Sequence, residues 1–427
     1  MAALLPLELG LPEVEERAVM PSGFRAAATT AGIKASGRPD LGLLVADGER
    51  AASVAAAFTS NLVPAAPVTL SRAHLAEGAG RWGRTTAVLS TSGCANAATG
   101  PAGERDQQEL AGALGACLGV EPGQTLAIST GLIGTRLPVE RISAALPEIV
   151  HRLAVSDAAL DALAEQMCTT DSRAKWATAR LELPHGGGRP LTVTVTGIAK
   201  GVGMIHPRMA TMLSLVLTDA AVEPSTLHEL LVPAVERTWN QLTVDSDTST
   251  NDTVFLLASG ASGATVQLGS PEADRLGQAV HAVARSLARQ QAADGEGATT
   301  LITCQVSGAR DDLEARAVAR AVVASNLVKA AVHGRDPNWG RIAAAAGNAR
   351  VDGRPVHLAV EHLRIALCGV EVFGGEPLPF DAAVAAGLMD APEVLLRLDL
   401  GLEEGSGEAF GCDLSEQYVV ENSAYST

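Results

Sequence analysis

The stretch GIAKGVGMIHPRMATMLSLVLTDA, residues 197–220, sets Lys200, two glycines and a proline ahead of an apolar run with Thr211 at its head. Glycine and proline at that density form a tight turn, and MLSLVLTDA after it is a buried strand, so the turn delivers Thr211 to the start of the strand. As a β-branched residue Thr211 simply fills a pleated surface, and periodicity alone favours that reading. As a nucleophile it is weak, because no neighbour in GMIHPRMATML is an obvious base. A cut between Ala210 and Thr211 changes this. It exposes an α-amine, ordinary pKa about 8, on the same Cα as the hydroxyl, which gives nucleophile and base in one residue.

Working outward, LTVTVT (191–196) alternates as a half-buried strand and LITCQV (301–306) reads as a more fully buried one. The segment 270–290 offers Ser270 as N-cap and Pro271 at the first helical position, with Leu276, Val280, Val283, Ala284 and Leu287 on one face. A second helix is expected from Thr226, at capping-box spacing from Glu229, with Pro233 kinking or ending it. Loops are expected at HGGGRP (185–190) and EEGSGEAFG (403–411). Strands and helices mix without a fixed period, so the class is α/β or α+β. Composition alone places no domain boundary.

Bulk properties exclude several functions. A chain of 427 residues can bury a site completely, and a net charge of −16 argues against nucleic acid and anionic membranes, which need clustered Lys and Arg. Six scattered cysteines without C-x-x-C suggest reduced cytoplasmic thiols, with neither a disulfide framework nor a thiolate zinc site. The first 17 residues carry no basic residue ahead of their short apolar run, so no signal peptide is indicated, and no apolar run is long enough to span a bilayer. GVGMIH has His206 where a dinucleotide fingerprint needs its third glycine, and ASGASG (258–263) lacks nucleophile-elbow spacing. TVDSDTSTND (243–252) has Thr250 in place of a calcium loop's turn glycine, with Leu256 in place of its Glu. The nine histidines never adopt H-E-x-x-H spacing, so no metal is expected.

Several blocks then recur in order along nearly the whole chain: GFRAAATTAGIKASGRPDLGLLV (23–45), FTSN (58–61), STGLIG (129–134), MCTTDSRAK (167–175), AKGVGMIHPRMATML, DSDTSTNDT (245–253), DGEGATTLI (294–302), VKAAVHGRDPNWGRIAAAAG (328–347) and ENSAYST (421–427). With these the sequence resembles the glutamate N-acetyltransferase family, also called ornithine acetyltransferase. The resemblance implies a layered sandwich of mixed sheets flanked by helices with a smaller C-terminal lobe, and self-cleavage between Ala210 and Thr211. Residues 1–210 and 211–427 would be the two chains, two of each forming a heterotetramer.

The implied activity belongs to arginine biosynthesis in the cytoplasm and needs no cofactor. Thr211 takes acetyl from N2-acetylornithine and passes it to glutamate by a ping-pong route. Thr130 and Gly131 match the family's oxyanion pair, although STGLIG reads equally well as a strand entering a turn. Lys200 matches the partner of a substrate carboxylate, while Thr169, Glu296, Asn422 and Thr427 line the rest of the pocket. A carboxylate such as Glu296 suits an ammonium group. His206 and Arg208 stand where family members vary, so they either tune the substrate or are tolerated. Chain ends usually fray, so a docked ENSAYST is the sharper expectation. In HGRDPNWGR a turn at Asp336–Asn338, an anchor at Trp339 and ion-paired Arg335 and Arg341 carry structure and no catalysis. Four alternatives stand beside this reading: a bifunctional form that also takes acetyl from acetyl-CoA, a secondary-metabolism relative, an N-terminal-nucleophile amidase or aminopeptidase in which water resolves the acyl-enzyme, and a non-catalytic binding protein that keeps the fold with its chain uncut.

Overall fold

In the computed structural model, which describes residues 4–48, 50–184, 188–206 and 212–424, the strand after the glycine turn runs Leu213–Thr218 and is buried throughout. Leu213, Leu215 and Leu217 face one core and Val216 faces another, as the two-residue period of a strand requires. It pairs antiparallel with Leu191–Lys200 and parallel with Thr253–Ala258. These three lie inside a six-stranded sheet ordered Trp82–Thr85, Ala52–Phe58, Thr253–Ala258, Leu213–Thr218, Leu191–Lys200, Lys175–Leu183. A strand covered on both faces must be largely apolar on both, as Leu213, Leu215, Val216 and Leu217 are, and the one serine among them, Ser214, gives its hydroxyl proton to the Ile198 carbonyl.

One face of this sheet packs on helices Pro224–Arg237 and Pro271–Ala293. The other meets helix Asp157–Met167 and a four-stranded sheet of Phe24–Thr29, Leu41–Ala46, Ala87–Cys94 and Thr125–Leu132. That second sheet is covered outside by Gly100–Leu118 and Val139–His151. The result is a helix–sheet–sheet–helix sandwich. A five-stranded sheet, ordered Val370–Gly374, Arg364–Leu367, Glu393–Asp399, Leu301–Ala309, Gly405–Cys412, forms the smaller C-terminal lobe over helices Asp312–Ala324 and Trp339–Gly347. The mixed, layered architecture is the one expected.

Local expectations fared unevenly. The long helix starts as read, with Ser270 Oγ accepting from the Ala273 N–H at 3.2 Å. The other helix begins earlier, at Pro224, with no side-chain cap; Pro224 fits the first turn because its missing N–H would be unused there. Pro233 does not stop it, since the helix runs to Arg237 with Leu227, Leu231, Ala234 and Val235 buried around the proline. EEGSGEAFG is not a loop: Gly405–Cys412 is a strand antiparallel to Leu301–Ala309. Its glycines serve close approach, because a Cβ on Gly405 would lie 2.4 Å from the Asp311 carbonyl carbon, and one on Gly407 2.8 Å from the Arg316 nitrogen. HGGGRP, partly outside the described residues, joins Lys175–Leu183 to Leu191–Lys200.

In HGRDPNWGR, Asn338 caps helix Trp339–Gly347 and Trp339 stacks on Phe373 with ring centroids 5.0 Å apart. Arg335 pairs with Asp390 at 2.6 Å. Arg341 instead donates to the Leu327 carbonyl at 2.9 Å.

Candidate active site

Lys200 is the last residue of its strand, and its side chain turns into the gap between the two sheets of the sandwich with only 3 % of its surface exposed. Its Nζ donates to Thr130 Oγ1 at 3.1 Å and Thr169 Oγ1 at 2.8 Å. Each hydroxyl that accepts from Lys200 keeps its own proton to donate.

Thr130 and Gly131 close the strand Thr125–Leu132, where it pairs with Gly93 and Cys94. Gly131 has φ +123°, and a Cβ there would sit 2.4 Å from the Gly93 carbonyl carbon. Only glycine fits. Thr169 follows helix Asp157–Met167 on a short connection that also carries Thr170 and Asp171. Thr170 Oγ1 donates to Glu296 Oε1 at 2.9 Å, so neighbouring threonines hold the cation Lys200 and the anion Glu296.

Glu296 lies just beyond the long helix, and its other oxygen accepts from Asn422 Nδ2 at 2.9 Å. Asn422 rides on the helix Glu416–Ala424. That helix comes within reach because Gly297, at φ +68°, leaves no Cβ against it; one would be 2.3 Å from the Tyr418 nitrogen. Ser415 Oγ donates to the Gly297 carbonyl at 2.5 Å. The expected docking of the tail therefore holds as far as Ala424.

A cavity of about 250 Å³ is lined by Thr130, Gly131, Thr169, Lys200, Glu296 and Asn422 together. All the expected site residues that the structure describes thus converge. Ala210, Thr211, Arg208 and Thr427 lie outside the described residues, but Met212 and Leu213, next in the chain after Thr211, line the same cavity. His206 bonds Thr243 Oγ1 at 3.2 Å and is not in the lining.

The lining also includes Asp245, Asp247, Asp252 and Tyr418, to which the sequence reading gave no role. Asp252 is fully buried and accepts the Met212 N–H at 3.0 Å; desolvation pushes its carboxyl well above the usual carboxylate range. Asp245 accepts from the N–H groups of Met204 (2.5 Å) and Ile205 (2.9 Å), fixing the chain after the glycine turn, and burial raises its pKa too. The Tyr418 hydroxyl is pushed upward by burial and by Asp245, Glu296 and Asp247 around it. DSDTSTNDT carried the signal for these acids, but alternate acidic residues in a polar run look like a solvated loop until the fold closes over them. Among the described residues, no group of three or more His, Cys, Asp or Glu is disposed to hold a metal ion.

The cavity therefore offers a cation for a carboxylate, anions for an ammonium group, and hydroxyl and glycine backbone donors at the end of a strand, beside the residue following Thr211. Comparison with known proteins bears directly on this arrangement. The model of the ArgJ family matches residues 25–427. The arginine biosynthesis bifunctional protein ArgJ of Synechococcus sp. is 45 % identical over 97 % of this chain and 98 % of its own length. That of Thermus thermophilus is 45 % identical over 96 % of this chain and 99 % of its own. The crystal structure of ArgJ from Bacillus halodurans is 39 % identical, with TM-score 0.48, covering 50 % of this chain and 100 % of that one. Ornithine acetyltransferase of Mycobacterium tuberculosis, solved with ornithine, is 37 % identical, with TM-score 0.40, covering 46 % of this chain and 97 % of that one. Matched over nearly its full length by sequence, the chain belongs to the ArgJ family, the acetyltransferases of arginine biosynthesis.

Proposed function

We propose that this acetyltransferase works through Thr211 after cutting its own chain before that residue. Thr211 Oγ attacks the Ala210 carbonyl carbon, the C–N bond breaks as the nitrogen takes a proton, and water opens the resulting ester. The freed α-amine then removes the hydroxyl proton as Oγ attacks the acetyl carbonyl of N2-acetylornithine, and passes that proton to departing ornithine. Glutamate's amine attacks the acetyl-enzyme in turn, giving N-acetylglutamate. In this reading the N–H of Gly131 and the hydroxyl of Thr130 stabilise the oxyanion, Lys200 holds a substrate carboxylate, Glu296 with Asn422 holds an ammonium, and Thr169 and Thr427 complete the pocket.

The observation that carries the proposal is the shared lining: Met212, covalently next to Thr211, borders the same cavity as Thr130, Gly131, Lys200 and Glu296. Amino-acid substrates are supported by the ornithine bound in the Mycobacterium relative; the relatives are bifunctional proteins, and acetyl-CoA as a second donor is this reading's account of a second activity. Chains 1–210 and 211–427 would stay together because strands Leu191–Lys200 and Leu213–Thr218, on either side of the cut, pair along their length. A heterotetramer of two of each and a cytoplasmic location belong to the same proposal.

Denaturing mass spectrometry of wild type and Thr211→Ala, paired with acetyl-transfer assays, tests it. Wild type should give two fragments meeting at 210/211 and glutamate-dependent release of ornithine, while Thr211→Ala stays whole and inactive. Intact wild type that still transfers acetyl would overturn the mechanism. Acetate release without glutamate would point to the amidase alternative.

A further inference from the structure

The connection after helix Asp157–Met167 buries a charge network that the acetyl-transfer reaction leaves unexplained. Lys175 is wholly buried against an equally buried Asp171, with Nζ 2.8 Å from Asp171 Oδ1 and 2.7 Å from Asp294 Oδ2. It also donates to the Arg173 carbonyl at 3.1 Å, so its three protons are accounted for and it has none for a ligand. Asp171 Oδ1 further accepts the Gly201 N–H at 2.7 Å, and Oδ2 accepts the Thr169 N–H at 3.2 Å. Lys200 Nζ stands 3.7 Å from Asp171 Oδ2, closer than solvent would separate them yet outside hydrogen-bond range.

We propose that Asp171 is a positioning residue that keeps the Lys200 ammonium aimed at the substrate carboxylate without taking one of its protons. Both Asp171 oxygens are occupied by other donors, while two Lys200 protons go to Thr130 and Thr169. The third is left for a carboxylate. Asp171 stabilises the cation through space, where a direct hydrogen bond would compete with substrate. The same carboxylate grips the backbone on both sides of the lysine's reach, at Gly201 and Thr169, so the lysine's direction is set by one group. Burial alone would raise the Asp171 pKa, but the ammonium groups of Lys200 and Lys175 and the Gly201 N–H hold it at about 2, and it stays ionised throughout the working range.

The inference rests on Lys200 binding the substrate carboxylate, and Lys200→Met tests that separately. The groups facing Lys200 are Asp171 and Asp252 among the acids, Lys34 as a second cation, and Cys168. Asp171→Asn replaces one of the two accepting oxygens with an amide donor, which frees the backbone at Gly201 or Thr169 and leaves the Lys200 ammonium less well aimed. For Asp171→Asn, KM for glutamate should rise about tenfold or more, with a smaller change in kcat. Because Asp171→Asn also strands buried Lys175, the double variant Asp171→Asn/Lys175→Met, which removes one charge of each sign, should fold and show the same rise in KM with a smaller change in kcat. Asp171→Glu should recover part of the lost affinity.

An unchanged KM in either neutral variant overturns the inference. So does loss of soluble enzyme in both neutral variants but not in Asp171→Glu, which would mark the charge as structural only. If Lys200→Met leaves KM unchanged, the carboxylate role of Lys200 fails first; if Lys200→Met raises KM and Asp171→Asn does not, the inference alone fails.

Discussion

A methyl group at residue 131 has nowhere to go. Gly131 combines φ +123° with backbone atoms of Gly93 and Cys94 inside contact distance of any Cβ, so Gly131→Ala must either force the strand pair apart or swing the 130–131 peptide. Either movement displaces the proposed oxyanion donors. The variant is expected to lose about 10²- to 10³-fold in kcat, as when one oxyanion donor is removed, and kinetics beside a thermal melt would check it. Wild-type kcat in a stable Gly131→Ala protein would remove residue 131 from the machinery. STGLIG announced a strand entering a turn, but the reason for its glycine lies at residue 93, on the neighbouring strand. Asp171 hid for a related cause: MCTTDSRAK shows an acid beside two cations, Arg173 and Lys175, as any surface segment does, and only folding reveals that Lys175 is wholly buried.

At the scale of elements, helix Glu416–Ala424 buries no residue of its own and is held by a few polar contacts and the gap above Gly297. Such an element contributes little to stability and a great deal to the cavity wall, through Tyr418 and Asn422. Deleting the last six residues should abolish acetyl transfer while moving the thermal midpoint by only a few degrees, roughly the effect of losing under 1 kcal/mol. Retained activity in the shortened enzyme would contradict a role for the tail. The docking was readable from the ordered family blocks and not from the helix's own pattern. By contrast Gly405–Cys412 looks like a loop in sequence, because glycine density looks alike whether it permits a turn or lets a strand lie against helix Asp312–Ala324. The start of the long helix was plain in SPEA, since cap, proline and apolar stripe agreed there.

For the whole molecule, the buried acids set opposing responses to pH. Asp171 has a folded pKa of about 2, below its ordinary 3.8, so between those values the folded chain keeps a charge that the unfolded chain has neutralised. Its contribution, about 2 kcal/mol, is present above pH 4 and is lost as pH falls toward 2. Asp245 and Asp252 are shifted upward, so their contribution has the other sign and declines as pH rises past the ordinary carboxylate range. Urea titrations across pH 2–5 should therefore show a shallower acid loss for Asp171→Asn/Lys175→Met than for wild type; equal slopes would contradict the burial of that charge. The layered architecture itself was legible from mixed strand and helix patterns together with the family blocks, whereas sheet order was not, since the six-stranded sheet joins residues 52–58 to 253–258.

The adjacent threonines 169 and 170 tie Lys200 and Glu296 to one short stretch of backbone. A ligand bridging Lys200 and Glu296 is measured against a ruler one peptide unit long, whose two marks move together or not at all. A softer cavity would accept a shorter or longer diamino acid by letting one wall follow it. Under the proposed roles of Lys200 and Glu296, the misfit would fall on the ligand, which would have to abandon one charge partner, so chain length would be discriminated by a lost ionic contact as well as by a methylene's worth of packing.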